Sequence, residues 1–339
     1  MSLKELTSRY VPSIDAEMRA VVQGAEEGRG SLFGMLRYHL GWADASFERC
    51  DERSGKRVRP VLCLMSCESC GGSWQQALPA AAAIELLHNF TLIHDDIEDQ
   101  DETRRGRPTV WSIWGEAQGI NAGDTLFAVS QLAILRLREK GIPASTVVEA
   151  ARLLNETSVD LTGGQHLDIE FESRNDVTVE DYLAMIEGKT AALVSCSCEL
   201  GALIAGAPAS QREHLRAFGR HSGLAFQMLD DVLGTWGDSL ITGKPVGADI
   251  ARRKKTLPLL HGLERSPELR TLMSQDALSD ADVGHVRSLL EEIGSREYAE
   301  RLARDHHEAA LTALERANLR GPAGEALREL AQELLNRRR

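Results

Sequence analysis

The chain has 339 residues, of which 42% are hydrophobic and 27% charged, so it can bury a large core like an ordinary globular protein. Its formal net charge of −12 argues against nucleic acid as a partner, because phosphate backbones require a basic surface. No run of about 18 apolar residues is free of charge, and the N-terminus lacks the apolar segment of a signal peptide. We therefore expect a cytoplasmic protein without a membrane span.

Helical periodicity dominates the chain, and no segment keeps the alternation of a β-strand for long. Capping boxes predict helices after Thr178 and Ser279, the first of them continuing through Ala205. Glycine and proline predict interruptions at Gly28–Gly30, Gly71–Gly72, Gly119–Gly123, Gly141–Pro143, Gly206–Pro208, Gly243–Pro245 and Gly321–Pro322. These features predict an all-α protein of about ten or more helices. Because no low-complexity linker divides the chain, we expect a single domain over residues 1–339.

The segment from Ser54 to Pro60, SGKRVRP, places three cations in four positions after a flexible glycine. Lys56, Arg57 and Arg59 would suit a phosphate-binding loop, because cationic side chains are matched to phosphate oxygens. A basic loop that caps the following helix explains the same residues, and Pro60 near a helix start fits that interpretation. This segment alone leaves both interpretations open.

Three of the six cysteines, Cys63, Cys67 and Cys70, have the spacing that radical enzymes use to hold an iron–sulfur cluster. Such a cluster requires a loop after a strand, whereas residues 61–70 have a helical pattern. Free cysteine is commonly buried in protein cores, so we favour core packing. Disulfide bonds are not expected in a reducing compartment.

The segment from Glu85 to Thr109 begins as an apolar helix, continues into acids and ends in arginines. Asp95 and Asp99 are four residues apart, so they share a helix face, with Asp96 beside them. Carboxylate oxygens suit Mg²⁺, and arginines suit the phosphate groups that accompany this ion. A solvated helix end would also combine acids and arginines. The apolar run before the acids, and a second acidic pair later in the chain, favour a diphosphate clamp.

Further candidate residues lie on predicted helices. His88 is seven residues before Asp95 and shares its face, although a lone histidine in an apolar helix is more often a core residue. Lys189, in an otherwise apolar helix, either extends to solvent or faces a buried anion. Gln165 follows the pair Gly163–Gly164, which we expect to loosen a helix.

The segment FQMLDD, which ends at Asp230 and Asp231, repeats the order of an apolar helix followed by acids. A loop with Lys244 and the basic run 252–255 come next, so cations again follow the acids. Because the two acidic motifs lie far apart in sequence, they can act together only if they face each other across one helical core.

The motifs GKRVRP, HNFTLIHDDIED, RRGRPT, GKT, FQMLDD, GKP and KKTLP together resemble the trans-isoprenyl diphosphate synthase family, also called polyprenyl synthetases. They occur in the family's order between Gly55 and Pro258. The resemblance implies an all-α isoprenoid-synthase fold, with a single helical bundle around a central active-site cavity, and a homodimer. It implies three Mg²⁺ ions, with Mn²⁺ as an alternative ion. The implied reaction is a head-to-tail condensation of isopentenyl diphosphate with an allylic diphosphate.

The resemblance also assigns individual residues. The metal ions would be held by Asp95, Asp96, Asp99, Asp230 and Asp231. The allylic diphosphate would be bound by Arg104, Lys189, Thr190, Gln227, Lys244 and Lys254. Isopentenyl diphosphate would be bound by Lys56, Arg59, His88 and Arg105, with Arg57 adjacent to this set. The catalytic residues would be Asp95, Asp96, Asp99, Arg104, Lys189, Asp230 and Lys244. Two positions depart from the family's pattern: Gly234 stands where the second motif often has a further acid, and Lys254 follows Arg253 instead of a glycine.

Product length should depend on the channel wall about one helical turn before Asp95. Phe90 and the small Thr91 resemble the pattern of the C20 producers, so we favour geranylgeranyl diphosphate over farnesyl diphosphate as the product. A plain core role for Phe90 is the alternative. Two other functions use related motifs: a class I terpene cyclase, which needs no second diphosphate site, and a non-catalytic subunit of a heteromeric synthase, which needs no intact acids.

Overall fold

The structure, a computed structural model, describes residues 1–52, 55–237, 247–275 and 277–335. Its helices are α1 (Leu3–Ala25), α2 (Gly30–His39), α3 (Val58–Ser69), α4 (Leu78–Glu98), α5 (Val110–Trp114), α6 (Glu116–Leu135), α7 (Ala144–Ser173), α8 (Val179–Ile186), α9 (Ala192–Ile204), α10 (Ala209–Trp236), α11 (Ala248–Ala251), α12 (Leu257–Arg265), α13 (Pro267–Met273), α14 (Asp280–Glu292), α15 (Ser295–Arg316) and α16 (Gly321–Leu335). Turns of 3₁₀ helix occur at Trp74–Ala77 and Arg136–Lys140, and a π-helical segment at Glu187–Ala191. The predicted all-α fold is confirmed. Among these helices, none is long and apolar enough to cross a membrane.

The described residues form two compact units. The first comprises Met1–Asn155, Ser197–Arg212 and Arg320–Leu327, and the second comprises Glu156–Cys196, Glu213–Leu319 and Arg328–Arg339. The first acidic motif and the basic segment before α3 belong to the first unit, and the second acidic motif belongs to the second unit. The single domain that we expected from the sequence stays a prediction.

Helix α4 lies in the core of the first unit because it is apolar around most of its circumference. Every residue from Pro79 to Ile93 except His88 is buried, and such a helix must be enclosed by others. Helix α6 approaches it closely: a Cβ on Gly123 would lie 2.2 Å from Nε2 of His94. The predicted interruption at Gly119–Gly123 is therefore wrong, since these glycines lie inside α6 and permit close helix packing.

Glycine has the same role in the second unit. Helix α7 is continuous through Gly163 and Gly164, contrary to the expectation that this pair loosens a helix. A Cβ on Gly164 would lie 2.1 Å from the backbone nitrogen of Lys189, and one on Gly188 would lie 2.6 Å from the carbonyl oxygen of Asp160. The backbone of α7 therefore packs directly against the π-helical segment that carries Lys189.

Both predicted capping boxes are confirmed. The side chains of Thr178 and Ser279 accept hydrogen bonds from the backbone amides three residues later. The helix after Thr178 is not continuous to Ala205 as predicted: α8 ends at Ile186, the π-helical segment follows, and α9 ends at Ile204.

The cysteine triplet lies on a helix, as the sequence pattern predicts. Cys63 and Cys67 are buried in α3, and Cys70 is the C-cap residue of this helix. The buried, helical positions of Cys63 and Cys67 support the predicted core packing.

Candidate active site

The arginines after the first acidic motif lie on a hairpin that the sequence pattern did not predict. Strand β1 (Thr103–Arg104) pairs antiparallel with β2 (Arg107–Pro108), and the turn residues Arg105 and Gly106 have φ angles of 55° and 78°. Two positive φ values are typical of the type I′ turns of short hairpins, which favour glycine. The side chain of Arg105 reaches the basic segment before α3. A Cβ added to Gly55 in that segment would lie 3.0 Å from Nη2 of Arg105.

A cluster of cations in the first unit contains residues predicted to bind isopentenyl diphosphate. Nη1 of Arg59 lies 3.3 Å from Nε2 of His88, and burial lowers the pKa of Arg59. Burial, Arg59 and Arg105 lower the pKa of His88 well below its ordinary value, so this imidazole is neutral near pH 7. Lys56 is exposed on the segment that leads into α3. This accumulation of positive charge suits a diphosphate anion.

Arg57 differs from the other cations of its segment. Its side chain is 2% exposed and donates from Nη1 to Oε1 of Glu85 at 2.6 Å. Its Nε donates to Oδ1 of Asp15 at 3.1 Å. A buried guanidinium must be paired to offset its desolvation, so Arg57 ties the basic segment to α4.

The structure separates the three acids of the first motif. Asp96 is 1% exposed and accepts a hydrogen bond from Nε of Arg104 at 2.5 Å. Burial raises the pKa of Asp96 to about 6, although Arg104 acts in the opposite direction. Asp95 and Asp99 are partly exposed at the end of α4. Their oxygen donors, one helical turn apart, fit Mg²⁺, which usually takes one or two carboxylates together with waters and substrate phosphates.

The second acidic motif also combines a solvent-accessible carboxylate with a buried one. Asp230 is exposed near the end of α10, whereas Asp231 is buried. Oδ2 of Asp231 accepts from the Tyr182 hydroxyl at 2.6 Å and from the Leu257 backbone nitrogen at 3.0 Å, and Oδ1 accepts from Nε2 of Gln227 at 3.1 Å. In the described part of the chain, no three histidine, cysteine, aspartate or glutamate side chains converge on one metal position.

Lys189 and Thr190 lie in the π-helical segment between α8 and α9. Such segments frequently mark functional sites. The ammonium group of Lys189 forms an ion pair with Asp168 of α7. The Thr190 hydroxyl donates to Oε1 of Gln227 at 2.9 Å. Thr190 and Gln227, both predicted to bind the allylic diphosphate, are thus linked by hydrogen bonds to Asp231.

The remaining predicted residues lie after α10. Lys254 is partly exposed before α12, and Lys244 lies outside the described residues. Gly234 is the position in the second motif that departs from the family's pattern. A Cβ added there would lie 1.8 Å from Oδ2 of Asp249 in α11. A carboxylate from another helix therefore occupies the space beside Gly234.

Four polar residues that contact residues of the predicted motifs were not found from the sequence. They are Glu85, Asp168, Tyr182 and Asp249. Only their contacts in the fold reveal them. A polar residue in an otherwise buried helical pattern, as for Glu85, is the one signal that was available.

The raised pKa of Asp231 predicts how the free energy of unfolding depends on pH. Burial raises it to about 7 from an ordinary value of 3.8, so the folded carboxyl keeps a proton that the unfolded chain loses. The free energy of unfolding of the metal-free protein should therefore fall as the pH rises from about 4 to about 7. Urea unfolding in EDTA should show a smaller decrease in Asp231→Asn, because the pKa of Asp96 is also raised, to about 6, and an unchanged decrease in the exposed control Asp230→Asn. Parallel pH profiles for wild type and Asp231→Asn would contradict the assignment.

Comparison with known proteins identifies the family of this chain. The family model for polyprenyl synthetase matches residues 41–293. The chain belongs to the polyprenyl synthetase family. Geranylgeranyl diphosphate synthase of Mycobacterium tuberculosis is 43% identical to this polyprenyl synthetase over 310 residues, which cover 90% of this chain and 87% of the relative. The (2E,6E)-farnesyl diphosphate synthase of the same bacterium is 41% identical over 312 residues, which cover 89% and 85%.

A solved structure gives the same result for the fold. The crystal structure of a polyprenyl synthetase from Streptomyces coelicolor A3(2) matches this chain with a TM-score of 0.89 and 34% identity, covering 98% of this chain and all of the other. The predicted family and isoprenoid-synthase fold are confirmed. The protein is a short-chain prenyltransferase with isoprenyl diphosphate substrates, in a family that uses Mg²⁺.

Proposed function

We propose that this polyprenyl synthetase condenses isopentenyl diphosphate with an allylic diphosphate and forms geranylgeranyl diphosphate. The observation that supports this proposal is that the first unit carries two groups of polar residues with different chemistry. Asp95 and Asp99 suit a diphosphate that is bound through magnesium, whereas Arg59, His88 and Arg105 suit one that is bound directly by cations. A reaction between two diphosphates needs both arrangements, but cyclisation of one diphosphate needs only the first.

The contacts of the acids refine their roles. In this proposal the metal ligands are Asp95, Asp99 and Asp230. Asp96 and Asp231, which we expected to be ligands as well, are buried and accept hydrogen bonds from Arg104 and Tyr182 respectively. We therefore assign them a supporting role. They orient the hairpin arginine and the ends of the helices around the site. The allylic diphosphate is then bound by Arg104, Lys189, Thr190, Gln227, Lys244 and Lys254.

These residues perform the reaction mainly by electrostatic stabilisation. The allylic carbon–oxygen bond breaks and its electron pair leaves with the diphosphate. The isopentenyl double bond attacks the allylic cation, and a proton is then lost to the departing diphosphate. When bound, Mg²⁺ neutralises charge on the leaving group. Arg104 and Lys189 add fixed positive charge there, and the buried apolar face of α4 excludes water that would hydrolyse the cation.

The side chains of α4 that precede Asp95 by four and five residues support a C20 product. Phe90 is buried and packs on Phe127 of α6, with ring centroids 5.4 Å apart. Thr91 is also buried, and its hydroxyl donates to the carbonyl oxygen of His88, so only a small side chain lies one turn before Asp95. The similar synthases carry both farnesyl and geranylgeranyl product names. Farnesyl diphosphate is therefore the alternative product.

The expected homodimer is supported by α6. This helix exposes Ile120, Leu132 and Leu135, of which the last two are about half exposed. Exposed apolar side chains on one helix are typical of protein interfaces. We therefore propose that the protein self-associates through a surface that includes α6.

Product analysis with three starters tests the proposed function. The purified chain is incubated with Mg²⁺, isopentenyl diphosphate and the C5, C10 or C15 allylic diphosphate in turn. Each starter should give a C20 diphosphate. A C15 end product would support the farnesyl alternative. A hydrocarbon from farnesyl diphosphate without isopentenyl diphosphate would favour a cyclase, and no turnover would favour a non-catalytic subunit.

Phe90→Ala should lengthen the product beyond C20. Removing the ring opens space beside Phe127 at the channel wall, so further isopentenyl units can be added before the chain meets a barrier. Mass spectrometry of the dephosphorylated products measures the change. Phe90→Tyr keeps the bulk and should retain the wild-type length. An unchanged length in Phe90→Ala would assign Phe90 to the core alone.

A further inference from the structure

A pair of histidine rings joins two helices of the second unit, and no sequence motif includes it. His221 lies in α10 and His306 in α15. Their Nδ1 atoms are 2.9 Å apart, and both side chains are partly exposed. A hydrogen bond between two imidazole nitrogens needs a proton on one of them and a free lone pair on the other. The contact therefore persists while at least one ring is neutral, and it is lost when both rings are protonated.

The surroundings keep this pair neutral near pH 7. The charged groups that face it are Arg220 of α10, Glu187 of the π-helical segment and Asp305 of α15. Burial, the other ring and Arg220 lower the pKa of His221 below its ordinary value of 6.5, and burial and Arg220 lower the pKa of His306. Glu187 acts in the opposite direction on both rings, and Asp305 does so on His306. Both rings therefore become charged together only in acidic solution.

Glu187 connects the histidine pair to the candidate active site. Its carboxylate accepts hydrogen bonds from Nε and Nη2 of Arg220, each 2.5 Å long. Glu187 is also the first residue of the π-helical segment, which carries Lys189 and Thr190. A π-helical turn is a rare alternative to the α-helix, so tertiary contacts must hold the segment in this form. The two bonds from Arg220, the residue before His221, are among these contacts.

We propose that the two histidines form a pH-sensitive contact, whose double protonation loosens the π-helical segment and weakens binding of the allylic diphosphate. Two charged rings repel each other and both attract the carboxylate of Glu187, which competes with its bonds to Arg220. A loosened segment no longer holds Lys189 and Thr190 in place for the diphosphate, so binding must pay for ordering them. This inference rests on the proposed function, which assigns these two residues to that substrate.

Hydrogen–deuterium exchange of the metal-free protein tests the structural effect. In wild type, the amides of residues 187–191 should lose about tenfold or more of their protection between about pH 7.5 and about pH 5, after correction for intrinsic exchange. His306→Asn and His221→Asn each keep a polar atom near Nδ1 but do not titrate, so they should retain most of the protection. His307→Asn removes the adjacent buried imidazole, whose pKa burial also lowers, and should respond like wild type. Equal losses in wild type and His306→Asn would contradict the proposal.

Calorimetric titration with Mg²⁺ and a non-reactive allylic diphosphate analogue tests the effect on binding. At about pH 7.5 wild type and His306→Asn should bind equally, whereas at about pH 5 wild type should bind about fivefold or more weakly than this variant. The charge of the analogue changes with pH, but equally for both proteins. If wild type does not bind the analogue at the higher pH, or if Lys189→Met binds it as tightly, the proposed function fails. If wild type binds it and Lys189→Met binds more weakly, but wild type and His306→Asn have equal affinity at the lower pH, only the inference about the histidine pair fails.

Discussion

Replacing Asp95 by alanine should lower kcat by about three orders of magnitude or more while the fold is retained. The reaction requires charge to develop on the departing diphosphate, and Asp95 provides one of the carboxylates that we assign to magnesium. The side chain is partly exposed at the end of α4, outside the buried core of the first unit. Its removal should therefore affect chemistry much more than stability. Initial rates at saturating substrates and circular dichroism measure the two effects.

Glu98→Ala is the matched control for Asp95→Ala. Glu98 is an exposed acid on the last turn of the same helix, three residues further on. Removing it changes the net charge by the same amount but leaves the proposed metal ligands in place. It should retain activity within a few-fold of wild type. Near-normal turnover by Asp95→Ala, or an equal loss in both variants, would contradict the metal assignment.

Glu85→Ala should lower the free energy of unfolding by about 3–5 kcal/mol, the usual cost of breaking a buried ion pair by removing one of its members. Glu85 is buried in α4 and accepts from Nη1 of Arg57 at 2.6 Å. Asn89 also donates to Glu85, through Nδ2 to Oε1 at 3.3 Å. The Arg57 guanidinium would keep its ion pair with the partly exposed Asp15, whose Oδ1 lies 3.1 Å from Nε. Urea unfolding followed by circular dichroism measures the loss.

The double variant Arg57→Met/Glu85→Met distinguishes an ion pair from simple packing. Two apolar side chains of similar length remove both charges, and buried ion pairs replaced in this way often retain their stability. The double variant should therefore be more stable than Glu85→Ala. If it is less stable, packing by the arginine stem, and not charge pairing, explains the effect.

The parts of the fold that depend on local interactions could be predicted from the sequence. Both capping boxes are present where Thr178 and Ser279 indicate them, and the helical pattern of the cysteine triplet is confirmed. The failures have tertiary causes. The sequence pattern predicts an interruption at the glycines inside α6 and a loosened helix at those inside α7, but these glycines permit close contact with α4 and with the π-helical segment.

In the candidate site, too, some features could be predicted from the sequence and others depend on tertiary contacts. The order of acids and arginines indicated a diphosphate enzyme. This order is visible in the sequence because it depends only on residue type and spacing. The sequence could not show that Asp96 and Asp231 are buried against protein donors while Asp95 and Asp99 remain partly exposed. Nor could it separate Arg57, which is paired with Glu85, from Arg59 two residues later. Those distinctions depend on which groups meet after folding.

A crystal structure of the protein with Mg²⁺ and a non-reactive allylic diphosphate analogue tests the central claim most directly. We predict carboxylate oxygens of Asp95, Asp99 and Asp230 at about 2.0–2.1 Å from ions that also contact the diphosphate. Asp96 and Asp231 should keep their bonds to Arg104 and Tyr182. A diphosphate bound by arginines and lysines alone, or ions that contact neither acidic motif, would contradict this account.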